Sequence, residues 1–218
     1  SGDEYSASVH GKTNQSAYLF DSTGRSYALA AHTLPSARGQ GEPATGRLNV
    51  PSGATFQGLL MGPDDQKVLF CSDAGYGFVG KLGDMYTKNK AGKTVLSLPK
   101  EARVLKPYLI DDFENDMVVA ISNEGRMLTF PVKELPEMAR GKGNKIINIP
   151  SKRLQAREEF MIAATVLNKN KILKVYAGKK HLSLKLSDLE HYAGERGRRG
   201  NKLPRGHQKV DRIEVEDK

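Results

Sequence analysis

The chain has 218 residues, with 34 Lys plus Arg against 25 Asp plus Glu (formal net charge +9), one Cys, no Trp and 38% hydrophobic residues. That length can bury a sizeable core in one or two domains, and recurrent Val, Leu and Ile exclude a disordered composition. A lone Cys excludes a disulfide scaffold and a thiolate zinc site, no apolar run approaches the ~20 residues of a membrane span, and Ser1-Gly2-Asp3-Glu4 lacks the regions of a signal peptide, so a cytoplasmic protein without membrane contact is expected.

In chain order, the first strand-length apolar run is Tyr18-Leu19-Phe20, followed by the turn Asp21-Ser22-Thr23-Gly24 and a second run, Ser26 to Leu29. The succession returns as Val68-Leu69-Phe70, Ser72 to Gly75 and Gly77 to Gly80. It returns again as Val118 to Ile121, Ser122 to Gly125 and Met127 to Phe130, and finally as Ile172 to Tyr176, Ala177-Gly178 and His181 to Leu184. Each Gly supplies the positive φ a tight turn needs, so each unit reads as strand, turn, strand. The turn glycines at 24, 75, 125 and 178 lie 51, 50 and 53 residues apart. A second series keeps step: Asn49-Val50-Pro51, Ser97-Leu98-Pro99, Asn148-Ile149-Pro150 and, more weakly, Lys202-Leu203-Pro204 each close a third apolar run. A fourth strand is expected after each, at Ala54 to Met61, Arg103 to Ile110, Glu158 to Leu167 and Lys209 to Glu216.

Two series in phase imply four repeats of about four strands, at 17–66, 67–116, 117–169 and 170–218, together one domain. A period near 50 with four strands per unit predicts an all-β, bladed, propeller-like fold, closed or left as an open arc. Leu154 to Leu167 has helical composition, but its place in the repeat predicts a strand. Residues 1–16, with Asp3 to His10 at their centre, read as the last strand of a preceding blade or as a closing strand.

The charge is uneven: residues 140–205 hold 17 Lys or Arg against 5 Asp or Glu, and the rest holds 17 against 20. Between the second and third strands every repeat carries a Gly-rich basic loop. The four are Arg38-Gly39-Gln40-Gly41, Lys88 to Lys93, Arg140 to Lys145 and Arg196 to Lys202. Repetition places them at corresponding points on successive blades, as a stripe along one edge. Such a stripe suits phosphates: Lys and Arg release condensed counterions, and Gly allows close approach of main-chain N–H groups. Aromatic side chains are not interleaved with the loops and no base-reading helix is visible, so salt-dependent duplex DNA binding indifferent to sequence is expected. The strongest phosphate contacts are expected at Arg140, Lys142, Lys145, Arg196, Arg198, Arg199, Lys202 and Arg205. Arg38, Lys88, Lys90 and Lys93 follow, and Lys152, Arg153, Lys179 and Lys180 extend the surface. The rival is a protein-docking propeller whose last-blade cations, Lys180, Arg198, Arg199 and Arg205, meet an acidic partner such as an SMC-type condensin.

The four-stranded repeat with an Arg-Gly-Lys-Gly box before its third strand resembles the C-terminal β-pinwheel domains of bacterial type IIA topoisomerase A subunits. Leu135 to Gly143 and Arg198 to Gly206 resemble the topoisomerase IV branch in particular. The resemblance implies a β-pinwheel that binds and bends duplex DNA and steers a transported segment for decatenation and supercoil relaxation. It also implies a bacterial, nucleoid-associated setting with two partners, the ATPase B subunit plus the rest of the A subunit. The catalytic tyrosine, and the ATP and Mg²⁺ of the whole enzyme, would lie outside this chain, leaving the domain without catalysis or cofactor of its own. None of the four loops reproduces the fuller gyrase box, which removes the expectation of gyrase-like chiral wrapping.

Other motifs fail on context. Gly75-Tyr76-Gly77-Phe78-Val79-Gly80 matches a dinucleotide fingerprint literally, yet it sits in a hairpin with no helix after it. Gly92-Lys93-Thr94 has Thr87 where a P-loop requires Gly. Asp111 to Asp116 reads as an inter-blade turn rather than a metal loop. The five histidines show no ligand spacing, and Cys71 reads as a buried small hydrophobe.

Overall fold

The computed structural model describes residues 15–29 and 48–218; the first basic loop, with Arg38, and the Asp3–His10 run lie outside them. The strands are β1 (Gln15–Asp21), β2 (Arg25–Leu29), β3 (Phe56–Pro63), β4 (Lys67–Ser72), β5 (Tyr76–Lys81), β6 (Lys93–Thr94), β7 (Tyr108–Leu109), β8 (Met117–Ser122), β9 (Arg126–Pro131), β10 (Asn144–Lys145), β11 (Met161–Leu167), β12 (Lys171–Ala177), β13 (Lys180–Leu184), β14 (Asn201–Lys202) and β15 (Arg212–Asp217). Among the described residues one α-helix, α1, spans Ser151–Gln155. No helix among the described residues is long and apolar enough to cross a membrane.

Each apolar pair of runs forms an antiparallel hairpin: β1–β2, β4–β5, β8–β9 and β12–β13. The turn glycines take the left-handed conformation, with φ of 86° at Gly24, 84° at Gly75, 80° at Gly125 and 63° at Gly178. Among the described residues four sheets result, in the orders β3-β1-β2-β6, β10-β5-β4-β7, β11-β8-β9-β14 and β13-β12-β15. The first three therefore take their last short strand from the following repeat. β6 pairs with β2 through Arg25↔Thr94 and Ser26↔Lys93, β10 with β5 through Gly77↔Asn144, and β14 with β9 through Met127↔Asn201.

Stacking explains why the inner hairpins read as continuous apolar runs. Alternate residues of one strand face opposite neighbours, and both neighbours are sheets. Val68 and Phe70 pack toward the first sheet with Tyr18, Phe20 and Leu60, while Leu69 and Cys71 pack toward the third with Val118, Ala120 and Phe130. Val119 and Ile121 turn the other way, onto Leu173 and Val175 of the fourth sheet. The outermost β12 alternates instead, burying Leu173, Val175 and Ala177 and leaving Lys171, Lys174 and Tyr176 half-buried. The array is open: among the described residues three buried clusters join consecutive sheets, and none joins the fourth to the first.

Three expected strands are shorter than predicted, and the last of them, Lys209 to Glu216, begins only at Arg212. Arg103 to Ile110 pairs only at Tyr108–Leu109 and at an isolated Val104↔Ser72 bridge, because Pro107 lacks an N–H to continue the ladder. Leu154 lies in α1 rather than in a strand, with its side chain packed into the cluster between the second and third sheets. The helix ends before Arg157, whose φ is 58°, and β11 begins only at Met161. The helical composition there was a true local signal, which place in the repeat does not override.

Candidate nucleic-acid interface

The exchanged strands put the basic loops where they are. Each of the three described loops leaves one hairpin, crosses to the preceding sheet and docks there before the third run enters the core. In the second repeat the N–H groups of Val95 and Leu96 both donate to Gly24 O, at 2.9 and 3.0 Å. Ile146 N donates to Gly75 O at 2.6 Å, and Leu203 N to Gly125 O at 2.8 Å. The apolar residues that follow are fully buried between sheets. Burial of those pairs, at about 1.5–3 kcal/mol per large aliphatic side chain, anchors the loops from beneath.

Glycine serves this docking. Gly143, with φ of 80°, lies against Gly77, where a Cβ would stand 2.0 Å from Gly77 O; Gly200, with φ of 73°, would place one 2.3 Å from Met127 O. The glycines predicted to open main-chain N–H groups to phosphate thus have another requirement, close approach to the host strand. Each described loop is also bonded to the run that follows the loop of the preceding repeat. Asn49 N donates to Lys90 O (2.8 Å), Ser97 N to Gly141 O (3.0 Å), and Asn148 N to Arg198 O (2.9 Å). In the reverse sense Gly141 N donates to Val95 O (3.0 Å) and Gly197 N to Ile146 O (2.8 Å). The three described loops consequently form one backbone-linked series.

Arg25 and Arg126, which sequence reasoning missed, clamp the loops. Each follows a turn glycine directly. Arg25 Nη1 donates to Ala91 O (3.1 Å) and Arg126 Nη1 to Gly200 O (3.3 Å), across the exchange. The second sheet has Tyr76 at this place, and the loop supplies the cation instead: Lys142 Nζ lies 4.8 Å from the ring centroid. The recurrence of a basic residue after Gly24 and Gly125 was the available signal.

The predicted cations divide into two groups. Lys88, Lys90, Arg140, Lys142, Arg198, Lys202 and Arg205 are exposed on the loops and the turn that follows the last one. Arg198 shares its charge with Glu195 at 3.1 Å, an exposed pair of small energetic worth. Lys152 is exposed on α1, and Lys179 and Lys180 are exposed at the β12–β13 turn. A Cβ built on Gly206, next to Arg205, would lie 3.1 Å from Lys180 Nζ, which places Lys180 beside the fourth loop. Lys93, Lys145 and Arg196 are partly buried. They donate to Asp84 O (2.7 Å), Asn148 Oδ1 (3.3 Å) and Lys145 O (2.8 Å), respectively.

Two expected phosphate contacts have other partners. Arg153 is held by Glu124, by Glu158 at 3.1 Å and by Glu159 at 3.2 Å, and bonding to Glu124 is the main cause holding its guanidinium pKa above the ordinary value. Arg199 donates to Asn148 O at 2.8 Å and lies 2.8 Å from Glu159 Oε2, an ion pair rather than an aligned hydrogen bond. Glu159 is completely buried, so both arginines neutralise a carboxylate that water cannot reach. Arg199 thereby ties the fourth loop to Asn148 and Glu159, and Arg153 ties α1 to Glu124, Glu158 and Glu159.

The motifs set aside in the sequence have structural roles. Gly75 to Gly80 runs from a hairpin turn into β5. Asp116 accepts from Asp111 N and Asp112 N at 3.2 and 3.1 Å and from Asn168 Nδ2 at 3.1 Å, tying one inter-blade turn to the next. Cys71 is buried, and desolvation pushes its thiol far above the ordinary value.

A family model described as the DNA gyrase C-terminal domain, a β-propeller, matches residues 116–168. The chain is 54% identical over 215 residues to the A subunit of DNA topoisomerase 4 from Pseudomonas aeruginosa, an alignment covering 99% of this chain and 28% of that relative. To the protein of the same name from Escherichia coli K12 it is 50% identical, with the same coverage. It therefore spans just over a quarter of the length of these relatives. The solved Escherichia coli ParC C-terminal domain superposes with a TM-score of 0.83 at 49% identity, covering 95% of this chain and 84% of that one. A gyrase A C-terminal domain gives a TM-score of 0.67 at 16% identity, covering 91% and 64%, a likeness of fold.

Proposed function

Because this chain belongs to the family of C-terminal domains of ParC, the topoisomerase IV A subunit, we propose that it grips duplex DNA along its series of basic loops, with little regard to sequence. The observation that carries this reading is the backbone-linked series itself. Lys88, Lys90, Arg140, Lys142, Arg198 and Lys202 project from three loops, each bonded to the run that follows the loop before it and anchored in the core, and Arg205 from the turn after the last loop. Cations held at repeated intervals neutralise successive phosphates without reordering at the moment of binding.

The domain contributes no bond-making chemistry in this reading. It bends a duplex along the arc and presents it to the remainder of the A subunit, which works with the ATPase B subunit in decatenation and supercoil relaxation. What supports a bend is that a straight duplex would touch a curved series at one loop, whereas contact with all three requires curvature.

Titrating duplexes of unrelated sequence against rising salt tests the reading. Affinities should be similar among sequences, and log affinity should fall by about 0.9 per neutralised phosphate for each unit of log salt. No duplex binding at low salt, with retention of an acidic protein such as an SMC-type condensin, would replace this reading with the protein-docking one.

A further inference from the structure

Among the described residues three hairpins receive a strand from the following repeat, and β12–β13 receives none: its sheet has three described strands, with β13 at the edge. The difference is visible at the turn. A Cβ built on Gly24, Gly75 or Gly125 would stand 2.1 Å from Leu96 O, 2.4 Å from Ile147 O or 2.5 Å from Gln208 Cα, all atoms of the following repeat. At Gly178 the same position meets nothing within 4 Å. A cavity opens there, lined by Ala177, Gly178, Gly206, Gln208, Lys209 and Asp211. Counting back from Leu182, which packs as Leu128 does, Lys180 occupies the place of Arg25, Tyr76 and Arg126, the three residues that hold an incoming loop.

We propose that this edge is a vacant strand-exchange slot that takes, from another polypeptide, an extended segment of Gly-Asn-Lys-aliphatic chemistry. The filled slots define the occupant. Gly143-Asn144-Lys145-Ile146-Ile147 fills the second sheet and Gly200-Asn201-Lys202-Leu203 the third, each as a two-residue strand followed by aliphatic residues that cover the turn. The vacant edge continues this series of interfaces by the same repeat. Among the described residues every such run of this chain is already seated. Asn49, from the first repeat, is bonded to Lys90 beside the first sheet, at the opposite end of the arc. An exposed strand edge with unpaired backbone groups binds such a segment by main-chain pairing, and the cavity selects its aliphatic residues.

The test is titration of this chain with a labelled synthetic peptide copying residues 141–150, GKGNKIINIP, followed by anisotropy and by amide exchange. Saturable binding is expected, with slowed exchange at Lys180–Leu184 and at least tenfold weaker binding of a scrambled peptide. In the β5 and β9 edges, Val79 N donates outward to Pro136 O, and Thr129 O accepts from Gly194 N. His181 lies two places before the corresponding Ser183, so its N–H is directed to the free edge. His181→Pro should weaken peptide binding at least tenfold and leave duplex binding intact, which separates this slot from the DNA reading. The proposal is overturned by absence of saturable binding, by equal binding of the scrambled peptide, or by binding without protection at Lys180–Leu184. Amides at Lys180–Leu184 already protected without peptide would overturn it as well, by showing the slot filled from within. Those exchange readouts use the native chain and stand even if the His181 variant fails to fold.

Discussion

The ammonium of Lys142 lies 4.8 Å from the centre of the Tyr76 ring, at the place where Arg25 and Arg126 clamp the other two exchanged loops. One exchange thus has its cation on the incoming loop and two have it on the host strand. Lys142 is both a proposed phosphate contact and a fastening of the third loop, and the two roles separate experimentally. Tyr76→Leu keeps the charge and removes the stack, with an expected cost of about 0.5–1 kcal/mol in denaturant unfolding. Lys142→Glu should also weaken duplex binding, whereas Tyr76→Leu should leave the salt slope unchanged.

Charge reversal on the fourth loop should act on all duplexes alike. Arg198→Glu with Arg205→Glu should lower affinity for unrelated sequences by similar factors and make the salt slope shallower by about 0.9 for each phosphate no longer neutralised. Fluorescence anisotropy at several salt concentrations measures both. A reduction confined to one sequence would contradict backbone recognition.

Arg199→Ala should behave differently from Arg198→Ala. It withdraws one of two cations from the buried Glu159 and releases the bond to Asn148 O. A stability loss of about 1–3 kcal/mol is expected in urea titration, against less than about 0.5 kcal/mol for Arg198→Ala, whose pair is exposed.

Gly143→Ala should unseat the third loop. The new Cβ meets Gly77 O at 2.0 Å, and the residue would have to hold a φ of 80°. A cost above about 2 kcal/mol is expected, with duplex binding reduced in parallel because Arg140 and Lys142 lose their frame. Circular-dichroism melts alongside anisotropy follow the two effects in one preparation.

Cys71 should resist thiol reagents in the folded chain and react on unfolding. Burial raises the folded thiol above its ordinary value of about 8.5, so the unfolded state releases its proton first as pH rises. This contribution is fully present below about pH 8 and declines above it, toward the raised folded value. Stability measured at pH 7 and pH 10, compared with that of Cys71→Ala, checks the sign.

The repeat, its hairpins and the loop positions were legible because turn glycines and Pro-terminated runs keep one period. Exchange between blades was implied by the family resemblance, but which strand is exchanged was not legible, since Asn144-Lys145 has the same composition whether it pairs within its own repeat or with Gly77 of the one before. The basic loops were found as charge, but charge does not show its partner. Arg199 and Arg198 are adjacent in sequence, and only burial of Glu159 distinguishes them. Arg25 and Arg126 were overlooked because a single Arg after a turn carries no pattern until both are superposed on the exchanged loops.

Strand exchange also sets an order on biosynthesis. Arg25 pairs with Thr94 and Arg126 with Lys202, so each of the first three hairpins leaves the ribosome with its outer edge bare and waits for the next repeat to emerge before it is covered. Completion runs one repeat behind translation. A nascent chain stalled between repeats displays an unpaired edge suited to aggregation, and chaperone dependence should therefore peak at each repeat boundary.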